Sequence, residues 1–181
     1  MKKLRHKKVN EKRFKIMDKM SGYDKAIVLK TFRLPNGVLE NFFIDDNSDS
    51  VQIFPITDDG RVITVQQFRP GIEMETVELP GGGLEDGEDP MKAAERELLE
   101  ETGFEGEMTF LGKANYNPYS TGVRYMFAAN NCKKVERLDL DENEFLIVLK
   151  WPMEKFREEI RKGNIRGTDC SYMGLDALGL L

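Results

Sequence analysis

Apolar positions change their spacing several times along this chain, and each change marks an element. Residues 26–34 (AIVLKTFRL) and 38–44 (VLENFFI) are short runs rich in aliphatic and aromatic side chains, divided by Pro35-Asn36-Gly37. An Asn-Gly step supplies the positive φ values that a tight turn between strands needs, so the pattern predicts a hairpin. Val51–Ile56 and Arg61–Gln67 repeat the arrangement around Thr57-Asp58-Asp59-Gly60, with Val62, Thr64 and Gln66 alternating with Ile63, Val65 and Gln67. A second hairpin is predicted there, followed by a strand at Glu75–Leu79 and a glycine-rich loop.

The spacing then becomes helical from Pro90 to Thr102. Asp89 is placed as an N-cap, Pro90 occupies the first helical position, where its missing N–H costs nothing, and Gly103 stops the helix. Strands are expected at Met108–Lys113, Arg124–Ala129 and Phe145–Leu149, a helix at Met153–Lys162, and a last helix from Thr168. Many strands, one helix, more strands and then helices describe an α/β (α+β) protein with a mixed sheet covered by helices, not a regular βαβ array.

Composition narrows the class. The 181 residues, 40% hydrophobic and 33% charged, suit one soluble domain with a tail. The division expected is a basic arm at residues 1–20 and a single domain at 21–181. The arm reads either as a solubilising tail or as a strand packed on a partner subunit. The longest apolar runs, such as Ala26–Leu29 and Phe145–Leu149, fall far short of the roughly 20 residues that span a bilayer, and the basic N-terminus lacks the apolar core of a secretory leader. Two distant cysteines, Cys132 and Cys170, with no Cys-x-x-Cys spacing, point to a reducing cytoplasm and away from zinc. A net charge of −5 disfavours general nucleic-acid binding, which depends on phosphate attraction.

One histidine, His6, stands among Lys2, Lys3, Arg5, Lys7 and Lys8, where it reads as a solvated tail residue. Catalytic triads and two-histidine metal sites need an imidazole placed by the fold. The chemistry is therefore left to carboxylates, hydroxyls, Lys, Arg or a metal ion.

Carboxylates are concentrated in one place. Glu97, Glu100 and Glu101 stand at i, i+3 and i+4 on the predicted helix and share a face, where like charges repel. Taken singly, such glutamates read as a solvated helix face. A hard dication such as Mg²⁺, which takes a few carboxylates plus substrate phosphates, would offset the repulsion. Arg96 is in reach of Glu100 or Glu88. Gly81, Gly82 and Gly83 allow backbone to approach an ion or a phosphate closely.

Taken together, the residues form Gly-x5-Glu-x7-Arg-Glu-(aliphatic)-x-Glu-Glu-x-Gly-(apolar), from Gly82 to Phe104. Seven fixed identities match by chance in a chain this long on the order of one time in a million. The pattern resembles the Nudix box in full, and implies the Nudix fold, a mixed β-sheet sandwiched between α-helices, here with an N-terminal β-hairpin extension. It also implies hydrolysis of a nucleoside diphosphate linked to another group. By that resemblance Glu97 and Glu101 are the principal Mg²⁺ ligands, with Mn²⁺ as a substitute. Glu100 assists, the Gly81 carbonyl completes the shell, and Arg96 and Glu88 orient the helix.

Gln66-Gln67-Phe68-Arg69-Pro70 followed by Glu78-Leu79-Pro80-Gly81-Gly82 resembles the approach to the box in ADP-ribose and nucleotide-sugar pyrophosphatases. That likeness implies Arg69 on the diphosphate, and Gln67 and Glu78 in substrate binding. The proline that the subgroup carries about 16 residues past the box has a near match in Pro118, 15 beyond Gly103, with Tyr119 at the next position. Tyr119 keeps dinucleoside polyphosphates open as substrates. Asp141-Glu142-Asn143-Glu144 resembles a late acidic segment of the same enzymes, implying Glu142 as general base and Glu144 as a further metal ligand. Signatures of the NADH and coenzyme A members are not evident. The expected function is hydrolysis of a nucleoside diphosphate sugar, ADP-ribose first, by a homodimer in which residues 26–45 serve dimerisation. The alternatives are an RNA-end hydrolase and a non-catalytic nucleotide sensor; a sensor should have lost box glutamates, and all are present.

Overall fold

The computed structural model describes residues 7–16, 25–135 and 145–181. The chain forms two compact units, Met1–Ser48 with Asn115–Val123, and Asp49–Ala114 with Arg124–Leu181.

The first unit is an antiparallel sheet in the order β1 (Lys7–Ile16), β2 (Lys25–Arg33), β3 (Leu39–Asp46). The Asn-Gly turn joins β2 to β3: Gly37 has φ 87°, and the Asn36 side-chain oxygen accepts from the Val38 amide at 3.1 Å. β1 pairs with β2 of the same chain, from Lys7 opposite Arg33 to Ile16 opposite Lys25, with a register shift between Lys8 and Asn10. No alternation of apolar residues announces this strand, because Lys7, Lys8, Asn10, Glu11, Lys12 and Arg13 dominate it. The segment 115–123 extends the edge of β3: the Asp45 amide donates to the Tyr119 carbonyl at 2.8 Å, and the Thr121 amide donates to the Asp45 carbonyl at 3.0 Å.

The second unit holds β4 (Ser50–Thr57), β5 (Arg61–Arg69), β6 (Met74–Glu78), α1 (Pro90–Thr102), β7 (Phe104–Asn115), β8 (Val123–Lys134), β9 (Leu146–Pro152), α2 (Met153–Arg161), β10 (Ile165–Arg166) and α3 (Thr168–Ala177). Its strand order is β10-β6-β5-β4-β8-β7, with β9 added on β5. The turn at Thr57–Gly60 forms, and Gly60 has φ 76°. Beyond it the expected hairpin gives way: β4 and β5 share only the pair Ile56–Val62, while β4 runs parallel to β8 and β5 pairs with β9 and β6. A strand as apolar as β4, with Val51, Ile53 and Phe54 all buried, belongs in the middle of a sheet with both faces covered.

Side chains alternate between the two faces of a strand, and this sorts the core into two layers. Val51, Ile53, Ile63 and Phe127 pack with Ala93, Ala94 and Leu98 of α1. Phe54, Val62, Met126 and Ala128 pack on the other face with Phe156 and Ile160 of α2 and Cys170 and Leu175 of α3. The sheet is thus sandwiched between α1 and the α2–α3 pair, the mixed architecture that the sequence implied. Burial pushes both free thiols, Cys132 and Cys170, up to about 12. Among the described residues no helix is long and apolar enough to cross a membrane.

Candidate active site

Helix α1 is fixed at both ends and on one side. Asp89 accepts from the Met91 amide at 3.0 Å and the Lys92 amide at 3.3 Å, and Gly103, at φ 70°, donates its amide to the Leu99 carbonyl at 2.8 Å. These are the N-cap and left-handed C-cap that leave few helix-end groups unsatisfied. Ala93, Ala94 and Leu98 are locked into the core, which sets the rotation of the helix and hence the direction of its glutamates.

Those glutamates meet the loop that follows β6. The loop runs beside β4, with the Ile53 amide donating to the Pro80 carbonyl at 2.9 Å, the Val51 amide to the Gly82 carbonyl at 2.9 Å, and the Leu84 amide to the Asp49 carbonyl at 3.0 Å. Gly81 is turned the other way. Its amide donates to Glu101 Oε2 at 2.8 Å. Gly81 has φ 153°, and a Cβ there would lie 2.3 Å from the Val51 carbonyl oxygen, so only glycine fits. A Cβ at Gly82 would lie 2.3 Å from Glu97 Oε1, which places that carboxylate directly over the loop backbone. Glu101 is only 6% exposed.

Arg96 ties the remaining glutamates together, using all five of its N–H donors. Nε donates to Glu88 Oε1 at 2.9 Å. One terminal nitrogen donates to Glu97 Oε1 and Glu100 Oε2, both at 2.9 Å, and the other to Glu88 Oε2 at 2.9 Å and the Gly83 carbonyl at 3.1 Å. The hydrogen bonds to Glu88 are the main reason the guanidinium is raised well above its ordinary value. Glu88, which also accepts from the Glu85 amide at 3.0 Å, is held below the usual carboxylate range chiefly by Arg96.

A second ionic group lies on the same face of the sheet. Arg69 forks onto Glu78, Nε to Oε1 at 2.9 Å and Nη2 to Oε2 at 2.7 Å. The Thr76 hydroxyl also donates to Glu78, and Arg166 Nε approaches it at 3.5 Å. Burial alone would push the Glu78 carboxyl up, but Arg69, Thr76 and Arg166 outweigh it and hold it below its ordinary value. Arg69 is raised first by its hydrogen bonds to Glu78, and also by the negative charge of Glu101.

Of the residues singled out from sequence, Gln67, Arg69, Glu78, Gly81, Glu88, Arg96, Glu97, Glu100 and Glu101 all stand in the second unit. Pro118 and Tyr119 belong to the first, where the Tyr119 ring stacks on Phe42 at 6.5 Å between centroids. Glu142 and Glu144 lie outside the described residues. Sequence reasoning passed over Thr76 and Arg166, and it read the Gly83 backbone as an approach to an ion or phosphate, where its carbonyl accepts from Arg96. For Thr76 the signal was available, since it stands two residues before Glu78 and so shares its face of the strand.

The donor set fits a hard divalent ion. Glu97 and Glu101 offer oxygens beside a backbone that at Gly81 only glycine permits. Among the described residues no group of three or more acidic, His or Cys side chains is gathered so that it could hold a metal ion by itself, and Arg96 engages Glu88, Glu97 and Glu100. Mg²⁺ characteristically takes one or two carboxylates and completes its shell with water and substrate phosphate oxygens.

The NUDIX domain model matches residues 46–166. The chain belongs to the NUDIX family. It is 32% identical over 149 residues to the ADP-ribose pyrophosphatase of Bacillus subtilis (strain 168), covering 81% of this chain and 80% of that protein. It is equally identical over 158 residues, 86% of this chain and 85% of the relative, to the methanol dehydrogenase activator of Bacillus methanolicus. Among solved structures, a crystal structure of an ADP compounds hydrolase superposes with a TM-score of 0.78 at 25% identity, covering both chains fully. NUDIX hydrolases of the ADP-ribose pyrophosphatase kind work with a divalent metal ion.

Proposed function

We propose that this NUDIX protein is a Mg²⁺-dependent pyrophosphohydrolase of nucleoside diphosphate sugars, with ADP-ribose cleaved to AMP and ribose 5-phosphate. The observation that carries the reading is the seating of Glu97 and Glu101 on the Gly81–Gly82 backbone beside the Arg69–Glu78 pair. A carboxylate site for a dication thus adjoins a forked cation suited to a diphosphate. The names of the relatives support ADP-linked substrates.

Glu97 and Glu101 would hold the ion, with Glu100 and the Gly81 carbonyl beside them and Glu144 as an added ligand. When bound, the ion supplies charge neutralisation at the diphosphate and lowers the pKa of the attacking water. Arg96, fixed by Glu88, keeps Glu97 and Glu100 in position. Arg69 grips the diphosphate, with Gln67 on the same face of the sheet. Glu142 takes the proton from the water. The protein acts as a cytoplasmic homodimer, and Mn²⁺ can replace Mg²⁺.

The deciding experiment is product analysis with ADP-ribose, UDP-glucose, GDP-mannose, diadenosine polyphosphates and NADH, after chelation and return of Mg²⁺ or Mn²⁺. AMP and ribose 5-phosphate should appear only with metal, and Glu101→Gln should lower turnover by several orders of magnitude while the fold persists. Preference for diadenosine polyphosphates, or near-normal turnover by Glu101→Gln, would sink the proposal.

A further inference from the structure

On the reading just proposed, which the following step deepens, Arg166 is a cation on the α1 face of the sheet to which no task has been given. We infer that Arg166 is a substrate-binding residue, forming with Arg69 a two-guanidinium clamp for the diphosphate group of the nucleotide. Strand register puts it in place. β10 lies parallel to β6 with Ile165 opposite Val77 and Arg166 opposite Glu78. Ile165 and Val77 point into the core shared with α2 and α3, so alternation turns Arg166 and Glu78 to the opposite face. β5 pairs with β6 so that Val65 faces Glu78, Gln67 faces Thr76 and Arg69 faces Met74. Two residues back along β5 from Val65, Ile63 packs on α1. Gln67, Arg69, Thr76, Glu78 and Arg166 therefore share the face that carries the glutamates.

Charge supplies the second step. The Glu78 side chain is 8% exposed and is already neutralised by the fork from Arg69 and satisfied further by the Thr76 hydroxyl. Arg166 adds only a longer-range attraction to it. Its contact with Glu78, 3.5 Å from Nε to Oε1, is an ion pair too long to be a good hydrogen bond. Its side chain is 57% exposed and Arg69 is 44% exposed. Two guanidiniums on one carboxylate leave one positive charge over; Arg69 has Nη1 beside its fork onto Glu78, and the Arg166 guanidinium has forked donors that match phosphate oxygens.

Position supplies the third. The Leu79 amide donates to the Arg166 carbonyl at 3.3 Å, which ties β10 to the start of the loop whose Gly81 amide holds Glu101. Arg69 is close enough to Glu101 to feel its charge. A ligand with two adjacent phosphoryl groups can occupy both guanidiniums, whereas a monophosphate needs only one.

The test is calorimetric titration of the full chain with ADP and with AMP in the presence of a chelator, for the wild type, Arg166→Ala and Arg166→Lys. Arg166→Ala should weaken ADP about tenfold and AMP much less, with Arg166→Lys in between because it keeps the charge and loses the fork. Failure of the wild type to bind ADP, or an equal loss for ADP and AMP, overturns the clamp. So does a lowered melting temperature in Arg166→Ala with the ADP-to-AMP preference unchanged, since that is what a residue serving only to neutralise Glu78 would give. If the wild type hydrolyses no nucleoside diphosphate sugar yet Arg166→Ala selectively loses ADP, the clamp stands and the substrate reading falls.

Discussion

At the scale of single residues, the ionic groups around the site divide into those that are spent on each other and those that face solvent. Glu78 belongs to the first kind. Its folded carboxyl titrates below its unfolded value, about 4.3 for a free glutamate. The linkage therefore has one sign: the stabilisation is complete above the unfolded value and is lost as pH falls through the folded one. Glu78→Gln should cost about 1–3 kcal/mol at neutral pH, because it breaks a charge-assisted pair at a buried position. Melting curves of wild type and variant from pH 7 to pH 3 should converge at the acid end. A gap that stays constant over that range would mean the carboxylate charge is not what stabilises the edge of β6. The sequence made Glu78 and Arg69 visible as separate substrate candidates. Their pairing was not legible, since it depends on the β5–β6 register, which sets Arg69 opposite Met74, four positions from Glu78 and on the same face.

At the scale of elements, α1 was legible to the residue, because its start and stop rest on local chemistry: Asp89 and Pro90 at one end, Gly103 at the other. The glutamate cluster was legible for the same reason, as helical spacing fixes which side chains share a face. Pairing between strands was not. The Thr57–Gly60 turn is local and forms, yet β4 leaves β5 after one pair to lie parallel to β8, a partner about 70 residues along the chain whose choice depends on tertiary packing. β1 was hidden by its lysines, and β10 is too short to show a period. This division between capping and site geometry can be tested with two variants. Asp89→Ala should lower stability by about 1 kcal/mol through loss of the cap while leaving turnover near wild type. Gly82→Ala should retain stability better but push the Glu97 carboxylate off the loop, and a displacement of about 1 Å at a reacting site costs on the order of 100-fold in rate. Thermal melts and turnover of the two proteins should thus change in opposite order. Equal turnover in Gly82→Ala would show that Glu97 works from another position.

At the scale of the whole molecule, the first unit raises the question of what completes it. Met1–Ser48 with Asn115–Val123 is shorter than the roughly 70–80 residues below which one hydrophobic core rarely suffices. Its sheet also leaves apolar side chains uncovered. Leu39 and Phe43 stand four positions apart on β3, on the same face, and Phe43 is 67% exposed. Leu29, opposite Phe43 on β2, continues the strip. An exposed apolar strip on a small sheet is the kind of surface that serves interaction, and on the homodimer proposal a second copy of the chain would cover it. Sedimentation should then give twice the 20.8 kDa of one chain, and Phe43→Glu should return the monomer by placing a charge in the strip. The monomeric variant should keep the melting behaviour of the second unit, whose core lies between the sheet and its three helices. A wild type that sediments as a monomer at micromolar concentration would leave the strip for another partner and remove the hairpin at residues 26–45 from any role in dimerisation.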